Sequence, residues 1–304
     1  MVLNSTQLAA LCADHAVRVG ALDPLLAEQG VPELAHALVG SSEGGDAVGV
    51  PSVTDARPGT TASLWSPART YTLRLRARGV APQGAVADVL RQWLSTISAG
   101  DDAYAMVTVP SRDSACALPL LDAGFAAVTV AAVRTPGRRQ THHRDVRGVT
   151  IRSATPDDVD SLSGVALRLL RHDAAYGSAY LRPDAAEILR ESVHGYVHGS
   201  GRVAVAEHEG RIVGLANAIT GQEASWVAPL VARGPAAYIG YAEVEPGLRG
   251  SGIGGALLAN VDAWLDASGA GVDVLHHAAL NPRSTPFWYG HGFRPLWTTW
   301  RKAA

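Results

Sequence analysis

A glycine-rich run between a strand pattern and a helix pattern is the clearest chemical signal in the sequence. It extends from Val244 to Gly255 and contains five glycines. Glycines let a backbone approach an anion closely, and the free N–H groups at the start of a helix attract negative charge. The run therefore predicts a binding site for a phosphate or a pyrophosphate.

Two other uses of a glycine-rich turn fit the neighbouring residues poorly. A P-loop nucleotidase needs Gly-Lys followed by Ser or Thr, and the run contains no lysine. A dinucleotide-binding unit needs an acidic residue after the next strand, where this chain has His276, His277 and Asn281. Tight backbone packing is the remaining explanation that requires no ligand.

Regular elements are expected on both sides of the run. Alternating residues predict a strand through Tyr238–Val244, which ends at Pro246. From Ile253 the apolar residues recur at helical spacing until the pair Ser268-Gly269. Further strands are predicted at residues 272–275 and on both sides of Glu209-Gly210, which marks a hairpin. The run thus connects a strand to a helix in a mixed α/β domain.

The run and a later segment together resemble two motifs of the GNAT superfamily of acetyltransferases. The first is the acetyl-CoA signature, which here comprises Val244, Pro246, Arg249, Gly252 and Gly254. The second is the closing motif of the superfamily, which here comprises Asn281, Phe287, Trp288, Gly292 and Phe293. The resemblance covers roughly Val149 to Arg301. It implies an N-acetyltransferase that uses acetyl-CoA as co-substrate and no metal.

The resemblance also implies roles for individual residues. Backbone amides of the run would hold the coenzyme pyrophosphate, while Val244 and Asn281 would line a cleft for the thioester where two central strands splay apart. Asn281 is equally well placed to cap the following helix. The predicted coenzyme-binding residues are Val244, Arg249, Gly250, Ser251, Gly252, Ile253, Gly254, Gly255 and Asn281.

Catalysis by direct amine attack needs a proton acceptor, because an alkyl amine has a pKa of about 10. Glu243 and Tyr238 on the central strand, with Glu245 just beyond it, are the predicted candidates for this base. The tyrosine that usually protonates the leaving thiolate in the family falls on Trp288, whose indole cannot do so. Tyr289 is then the candidate acid, unless the thiolate leaves without one.

Several other residues could form a pocket for the acceptor amine. Each also has an ordinary structural explanation as a solvated helix end, a strand end or a core tryptophan. They are His172, Asp173, Tyr176, Trp226, His276, His277, Trp297 and Trp300.

The first half of the chain resembles a degenerate copy of the same fold. The spacing from Val80 to Phe125 parallels that from Val244 to Phe293 but is four residues shorter, and the glycine-rich turn is missing. A helix with one apolar face is predicted directly after Pro82. Residues 40–59, rich in Gly, Ser, Asp and Pro, predict an exposed loop.

The predicted architecture is therefore α/β (α+β), with two tandem GNAT-like domains, each a mixed, mostly antiparallel sheet flanked by helices. The domains are residues 1–134, which are degenerate, and 148–304, which are catalytic, with a linker at 135–147.

Composition narrows the partners. The net charge of −2 gives no basic excess for nucleic acid or an anionic membrane, so a neutral small molecule or a peptide fits better as the acceptor. Together with the family resemblance, this makes a small-molecule amine the expected acceptor. Cys12 and Cys116 have no metal-ligand spacing and are expected to be structural thiols. No signal peptide or membrane-spanning segment is predicted, which favours a cytoplasmic protein. We expect it to be a monomer or a homodimer. An acyl-CoA sensor or scaffold and a peptide or protein N-acetyltransferase are the alternatives.

Overall fold

The chain folds into two compact units. The computed structural model describes residues 4–31, 37–142 and 145–304. The first unit lies within Met1–Arg57, Ser66–Val130 and Pro295–Ala304, and the second within Pro58–Trp65 and Ala131–Arg294.

The sheet of the first unit is mostly antiparallel. Its elements in chain order are α1 (Ser5–Leu22), β1 (Leu38–Ser42), β2 (Gly45–Asp55), β3 (Arg69–Gly79), α2 (Gln83–Leu94), β4 (Ala103–Pro110), α3 (Ser114–Asp122), β5 (Ala126–Arg134) and β11 (Arg294–Ala303). Strand β2 pairs antiparallel with β1 and β3, β3 pairs parallel with β4, and β4 pairs antiparallel with β11. The last four residues of β5 belong to the second unit.

Helix α2 buries the apolar face that its sequence predicts. Val86, Val89, Leu90 and Trp93 are buried, and Trp93 stacks on Phe125 with ring centroids 6.3 Å apart. Each such side chain contributes about 1.5–3 kcal/mol when it leaves water. The helix follows β3 after only three residues, 80–82, so this unit has no glycine-rich turn at the corresponding place.

The predicted loop at residues 40–59 is wrong. Most of this segment forms β1 and β2, which are joined by a tight turn at Glu43-Gly44. Gly49 permits close packing, because an added Cβ would lie 2.5 Å from a methyl group of Val89 and 2.8 Å from one of Leu73. Glycine here serves packing inside a strand, whereas the sequence pattern indicated a loop.

The second unit is also a mixed sheet flanked by helices. Its elements in chain order are β6 (Val149–Ser153), α4 (Val159–Ala174), α5 (Ala185–His198), β7 (Arg202–His208), β8 (Arg211–Ile219), β9 (Ala236–Val244), α6 (Ile253–Ser268), β10 (Val272–Ala278) and α7 (Ser284–Gly290). Strands β6 to β9 pair antiparallel in sequence order, and β10 pairs parallel with β9. The mixed, mostly antiparallel fold class is therefore confirmed, and so is the hairpin at Glu209-Gly210.

The compact units depart from the predicted domain boundaries at two places. Residues 295–304 lie in the first unit, because β11 pairs with β4 from Trp297↔Pro110 to Ala303↔Tyr104. The predicted linker at 135–147 begins as packed structure, and its positions 143 and 144 lie outside the described residues.

Arg139 shows how the start of this linker is held. Its side chain is buried and donates hydrogen bonds to Asp273 at 2.6 and 3.0 Å and to Asp266 at 2.7 Å. Two carboxylates thus neutralise the buried guanidinium. Residues near Arg139 are therefore part of the second unit rather than an exposed connection.

In the described ranges, the helices are all too short or too polar to cross a membrane. Those ranges also contain no group of three or more His, Cys, Asp or Glu side chains arranged to hold a metal ion. Cys12 and Cys116 are both buried and unpaired as thiols.

Candidate active site

The glycine-rich run forms an open turn between β9 and α6. Gly250 and Gly252 adopt positive φ angles of 83° and 96°, which glycine accepts without strain. Gly252 is the N-cap of α6. Within the described part of the chain, the amides of Gly250, Gly252, Ile253 and Gly254 donate no hydrogen bond to another backbone group. These amides therefore remain free to bind an anion at the positive end of the helix dipole.

Close packing explains a third glycine of the turn. A Cβ added at Gly254 would lie 3.1 Å from the Phe287 ring of α7, so a side chain here would push the two helices apart. Beside the turn is a cavity of about 370 Å³. Its lining residues are Gln140, His142, Asp145, Val146, Ser251, Gly252, Gly255, Ala256 and His291.

Arg249 folds back from the turn onto the end of β9. Its Nε donates to the Val244 carbonyl at 2.9 Å, and its Nη2 lies 3.1 Å from both carboxylate oxygens of Glu243. Glu243 is 7% exposed, and Arg168 of α4 lies 3.9 Å from it on another side. Glu243 thus anchors the turn through a buried ion pair rather than presenting a free carboxylate.

A cleft opens where β9 separates from β10. The parallel pairing extends from Val272↔Ala236 to Leu275↔Ile239 and stops there, although β9 continues to Val244. The splay that the sequence resemblance implied is therefore present at the level of strand pairing. It begins at the residue after Ile239 and leads toward the glycine-rich turn.

A bulge in β9 changes which side chains share a face. Ala216 pairs with Ala242, but Ala218 pairs with Ile239, so two residues of β9 lie opposite Asn217. The extra residue reverses the usual alternation. Tyr238 and Glu243 consequently lie on the same face of the sheet, although they are five positions apart. This face is the one covered by α4 and α5.

Asn217 holds the bulge. It is 1% exposed, and its Oδ1 accepts a hydrogen bond from the Tyr241 amide. An added Cβ at Gly240 would lie only 2.8 Å from the same oxygen, so glycine is required there. The Nδ2 of Asn217 is buried with no hydrogen-bond partner among the described residues.

Asn281 connects the end of β10 to α4 and α7. Its Oδ1 accepts hydrogen bonds from the amides of Arg283 and Ser284 at 3.0 and 3.2 Å, just before α7, whose N-cap is Arg283 rather than the predicted Asn281. Asn281 is 4% exposed, and its side chain opposes the rise that burial causes in the pKa of Asp173.

Asp173 lies in the last turn of α4 and is partly buried. Burial raises its pKa to about 6, against the lowering effect of the hydrogen bond from Asn281, and the charge of Glu243 adds to the rise. Burial also lowers the pKa of the neighbouring His172. Asp173 is therefore a carboxylate that exchanges a proton close to neutral pH.

Three aromatic rings meet on the same face, and we call them the ring cluster: Trp226, Tyr238 and His276. The ring centroids of Trp226 and Tyr238 are 4.5 Å apart, and that of His276 is 5.9 Å from Trp226 and 5.8 Å from Tyr238. Burial lowers the pKa of His276 to about 4, so this imidazole is neutral at pH 7. Burial also raises the pKa of Tyr238, and the charge of Asp173 adds to this rise.

The other candidates lie elsewhere. Trp288 is buried against Phe293, with ring centroids 5.5 Å apart. Tyr289 contacts His277, with centroids 5.6 Å apart, and His277 points to the opposite face of β10 from its neighbour His276. Trp297 and Trp300 belong to β11, within the first unit.

Sequence reasoning named Asp173 only as a member of a possible acceptor pocket. Its environment depends on Asn281, more than one hundred residues away along the chain, so no local pattern identifies it as a titrating group. The bulge in β9 was equally hidden. Gly240 opposite a polar residue on a buried strand was the only available signal for it.

Comparison with known proteins agrees with this geometry. Residues 168–293 match the family described as Acetyltransferase (GNAT) family. No match was found among curated proteins.

Solved structures give similar folds at low sequence identity. A GCN5-related N-acetyltransferase from Sphaerobacter thermophilus has 13% identity and a TM-score of 0.54, covering 84% of this chain and 76% of that chain. A GCN5-related N-acetyltransferase from Kribbella flavida has 13% identity and a TM-score of 0.43, covering 98% and 96%. A tandem GNAT protein from the clavulanic acid biosynthesis pathway also has 13% identity and a TM-score of 0.43, covering 99% and 96%.

The segment that matches the family contains the glycine-rich turn, the splayed strands, Asp173 and Asn281. At 13% sequence identity, the solved structures support the fold alone. Residues 168–293 therefore match the acetyltransferase domain of the GNAT family.

Proposed function

We propose that the protein transfers the acetyl group of acetyl-CoA to the primary amine of a small molecule, by direct attack within a ternary complex. The observation that carries this proposal is the free turn at Gly250–Gly254, placed at the end of a strand that has separated from its neighbour. The turn suits the pyrophosphate and the cleft suits the thioester arm.

The proposed coenzyme site uses backbone groups more than side chains. Amides of Gly250, Gly252, Ile253 and Gly254 face the pyrophosphate, and Ser251 and Gly255 border the same turn. Val244 and Asn281 lie along the cleft. The Arg249 guanidinium does not reach outward, because Glu243 and the Val244 carbonyl hold it, and its role is to fix the path of the turn.

The proposed chemistry depends mainly on alignment of the amine with the thioester carbonyl. Glu243 is engaged by Arg249, and Tyr238 remains a neutral phenol at neutral pH because burial raises its pKa. Neither predicted base is therefore well suited to accept the amine proton. We assign that proton to Asp173, whose pKa of about 6 suits a base at neutral pH.

The leaving thiolate does not need a general acid. A thiol has a pKa of about 8.5, so a thiolate is a competent leaving group near neutral pH. Trp288 has no acidic proton to give, and Tyr289 lies beside His277, on the opposite face from His276. We therefore propose that the thiolate leaves without a dedicated acid and takes its proton from water.

Binding of acetyl-CoA tests this proposal when a charge is placed in the turn. Gly252→Asp keeps a residue type that tolerates positive φ and adds a negative charge at the proposed pyrophosphate position. We expect isothermal titration calorimetry to show one-to-one binding by the unmodified protein. The variant should bind about 100-fold more weakly or not at all, because like charges repel there.

Gly269→Asp is the matched control. Gly269 caps the other end of α6 with φ of 73°, and an added Cβ would meet no atom within 4 Å. This variant carries the same charge and a similar backbone strain but should bind acetyl-CoA normally. Circular dichroism confirms that both variants fold. Absence of binding by the unmodified protein would refute the coenzyme site.

A further inference from the structure

Asp173, which is partly buried, differs from the fully buried carboxylates of the second unit. Asp262 and Asp273 pair with Arg134, and Glu243 pairs with Arg249. None of the ion pairs formed among the described residues includes Asp173. Arg168, on the same helix, faces Glu243 instead. A carboxylate that is partly withdrawn from water without a cation is costly, so the site is prepared for a positive charge from outside.

The ring cluster lies on the sheet face that α4 covers, and Asp173 belongs to the last turn of α4. Tyr238 contacts both other rings and connects the cluster to β9, on which α4 packs. Tyr196 and Tyr241 extend the aromatic surface on the same face, with ring centroids 5.7 Å apart. The ring cluster is therefore an aromatic wall whose own members carry no charge at pH 7.

Trp226 is the exposed member of the cluster. It is 54% exposed, while Ala224 and Val227 on the same 3-10 segment, Gly221–Leu230, are buried and hold that segment against the sheet. The indole is thus fixed at the rim, with its ring stacked toward His276 at an interplanar angle of 14°. An exposed aromatic ring next to partly buried rings suits contact with an apolar ligand.

Resting on the proposed function, we propose that the acceptor is a primary amine carried on an aromatic body, with its ammonium on Asp173 and its ring on Trp226, Tyr238 and His276. The aromatic faces also stabilise the cationic amine while it is still protonated. Neither the glycine-rich turn nor the family match specifies this acceptor.

The proton balance of the step is complete. The ammonium gives one proton to the Asp173 carboxylate, and the nitrogen lone pair then attacks the carbonyl carbon of the thioester. A C–N bond forms, the C–S bond breaks, and the thiolate leaves with the electron pair. The amide nitrogen loses its second proton as the thiol is protonated. Asp173 returns its proton to water, so one proton is released overall.

Tryptamine and glucosamine test the acceptor class, because each carries one primary amine on an aromatic or a polar body. We expect kcat/KM for tryptamine to exceed that for glucosamine about tenfold or more. Trp226→Ala should lower kcat/KM for tryptamine about tenfold, mostly through KM, and Trp226→Phe should retain most of it. Asp173→Asn should lower kcat/KM for both amines about 100-fold.

Two control variants match these changes at neutral sites. Leu118→Ala removes an apolar side chain that is also 54% exposed, on α3 of the first unit, and Asp157→Asn removes an exposed carboxylate. Both should leave the kinetics and the binding of acetyl-CoA unchanged. Trp226→Ala and Asp173→Asn should likewise bind acetyl-CoA as the unmodified protein does.

A binding measurement keeps the acceptor proposal separate from the proposed function. Tryptamine is titrated into the protein saturated with coenzyme A, where no acetyl group can move. Binding that is lost in both Trp226→Ala and Asp173→Asn supports the acceptor site even without turnover. Turnover of glucosamine equal to that of tryptamine, or a Trp226→Ala variant with unchanged tryptamine binding, would overturn it. Failure of acetyl-CoA itself to bind would refute the proposed function instead.

Discussion

At the scale of single residues, the candidate site places its titrating group in a costly environment. The folded protein raises the pKa of Asp173 to about 6, whereas an unfolded chain leaves an aspartate near 3.9. An acid with a raised pKa favours the folded state only while it is protonated. Stability from this group is therefore complete below about pH 4 and is lost as the pH rises toward 6.

Asp173→Asn should consequently stabilise the protein at neutral pH. We expect a gain of about 2 kcal/mol in the free energy of unfolding at pH 7, and almost none at pH 4, because the neutral amide avoids the burial of a charge. Urea unfolding at the two pH values measures the difference. The same comparison on Asp157→Asn, an exposed carboxylate, supplies the baseline.

An equal stability of Asp173→Asn and the unmodified protein at pH 7 would contradict this picture of Asp173. It would mean that water reaches the carboxylate freely. A stabilised but inactive variant, by contrast, would show that stability is given up at this position in return for function.

The glycine-rich turn could be predicted from the sequence, but the proposed catalytic base, Asp173, could not. In a strand with simple alternation, Tyr238 and Glu243 would point to opposite faces of the sheet. A glutamate near the cleft would then be the chemically better candidate for the base. The structure instead brings the two onto one face and gives Glu243 to Arg249. Both changes arise from contacts between distant parts of the chain, which no local spacing encodes.

At the scale of elements, the bulge in β9 determines the geometry of the cleft. It lies where β9 leaves β10, and Asn217 of β8 stabilises it through the Tyr241 amide. Without this hydrogen bond, a buried N–H would lose its partner. The free Nδ2 of Asn217 leaves one donor available at the same point.

Asn217→Ala should therefore destabilise the fold and disturb the cleft together. We expect a loss of about 1–3 kcal/mol in the free energy of unfolding, because the Tyr241 amide becomes an unsatisfied buried donor. Urea unfolding measures the loss. Asn260→Ala is the control, since Asn260 accepts hydrogen bonds from the partly exposed Arg202. A change no larger than that of the control would show that Asn217 does not hold the bulge.

Most elements of the second unit could be predicted, because caps, turns and periodicity agree there. The hairpin at Glu209-Gly210 and the helix that starts after Gly252 are examples. The loop predicted at residues 40–59 is wrong because glycines there serve close packing between β2 and α2. Composition alone does not distinguish that use of glycine from a turn.

At the scale of the whole molecule, the sequence predicted two units but not how the chain contributes to them. A boundary at residues 135–147 assumes that each unit is continuous. In the structure the final strand, β11, pairs with β4 of the first unit, and Arg139 is buried by Asp273 and Asp266. A strand that pairs with a distant part of the chain leaves no local signal in the sequence, since its alternation of residues is the same whichever strand it pairs with. The proposal that the first unit is a degenerate copy of the second remains a prediction.

The most direct test of the central claim is acetyl transfer by the whole chain. Thiol release from acetyl-CoA is followed with and without tryptamine, and the amine product is identified by mass spectrometry. We predict amine-dependent thiol release with one acetyl group on the amine, lost in Gly252→Asp and retained in Gly269→Asp. Tight acetyl-CoA binding with no transfer to any amine in a wide panel would contradict the account and indicate an acyl-CoA sensor.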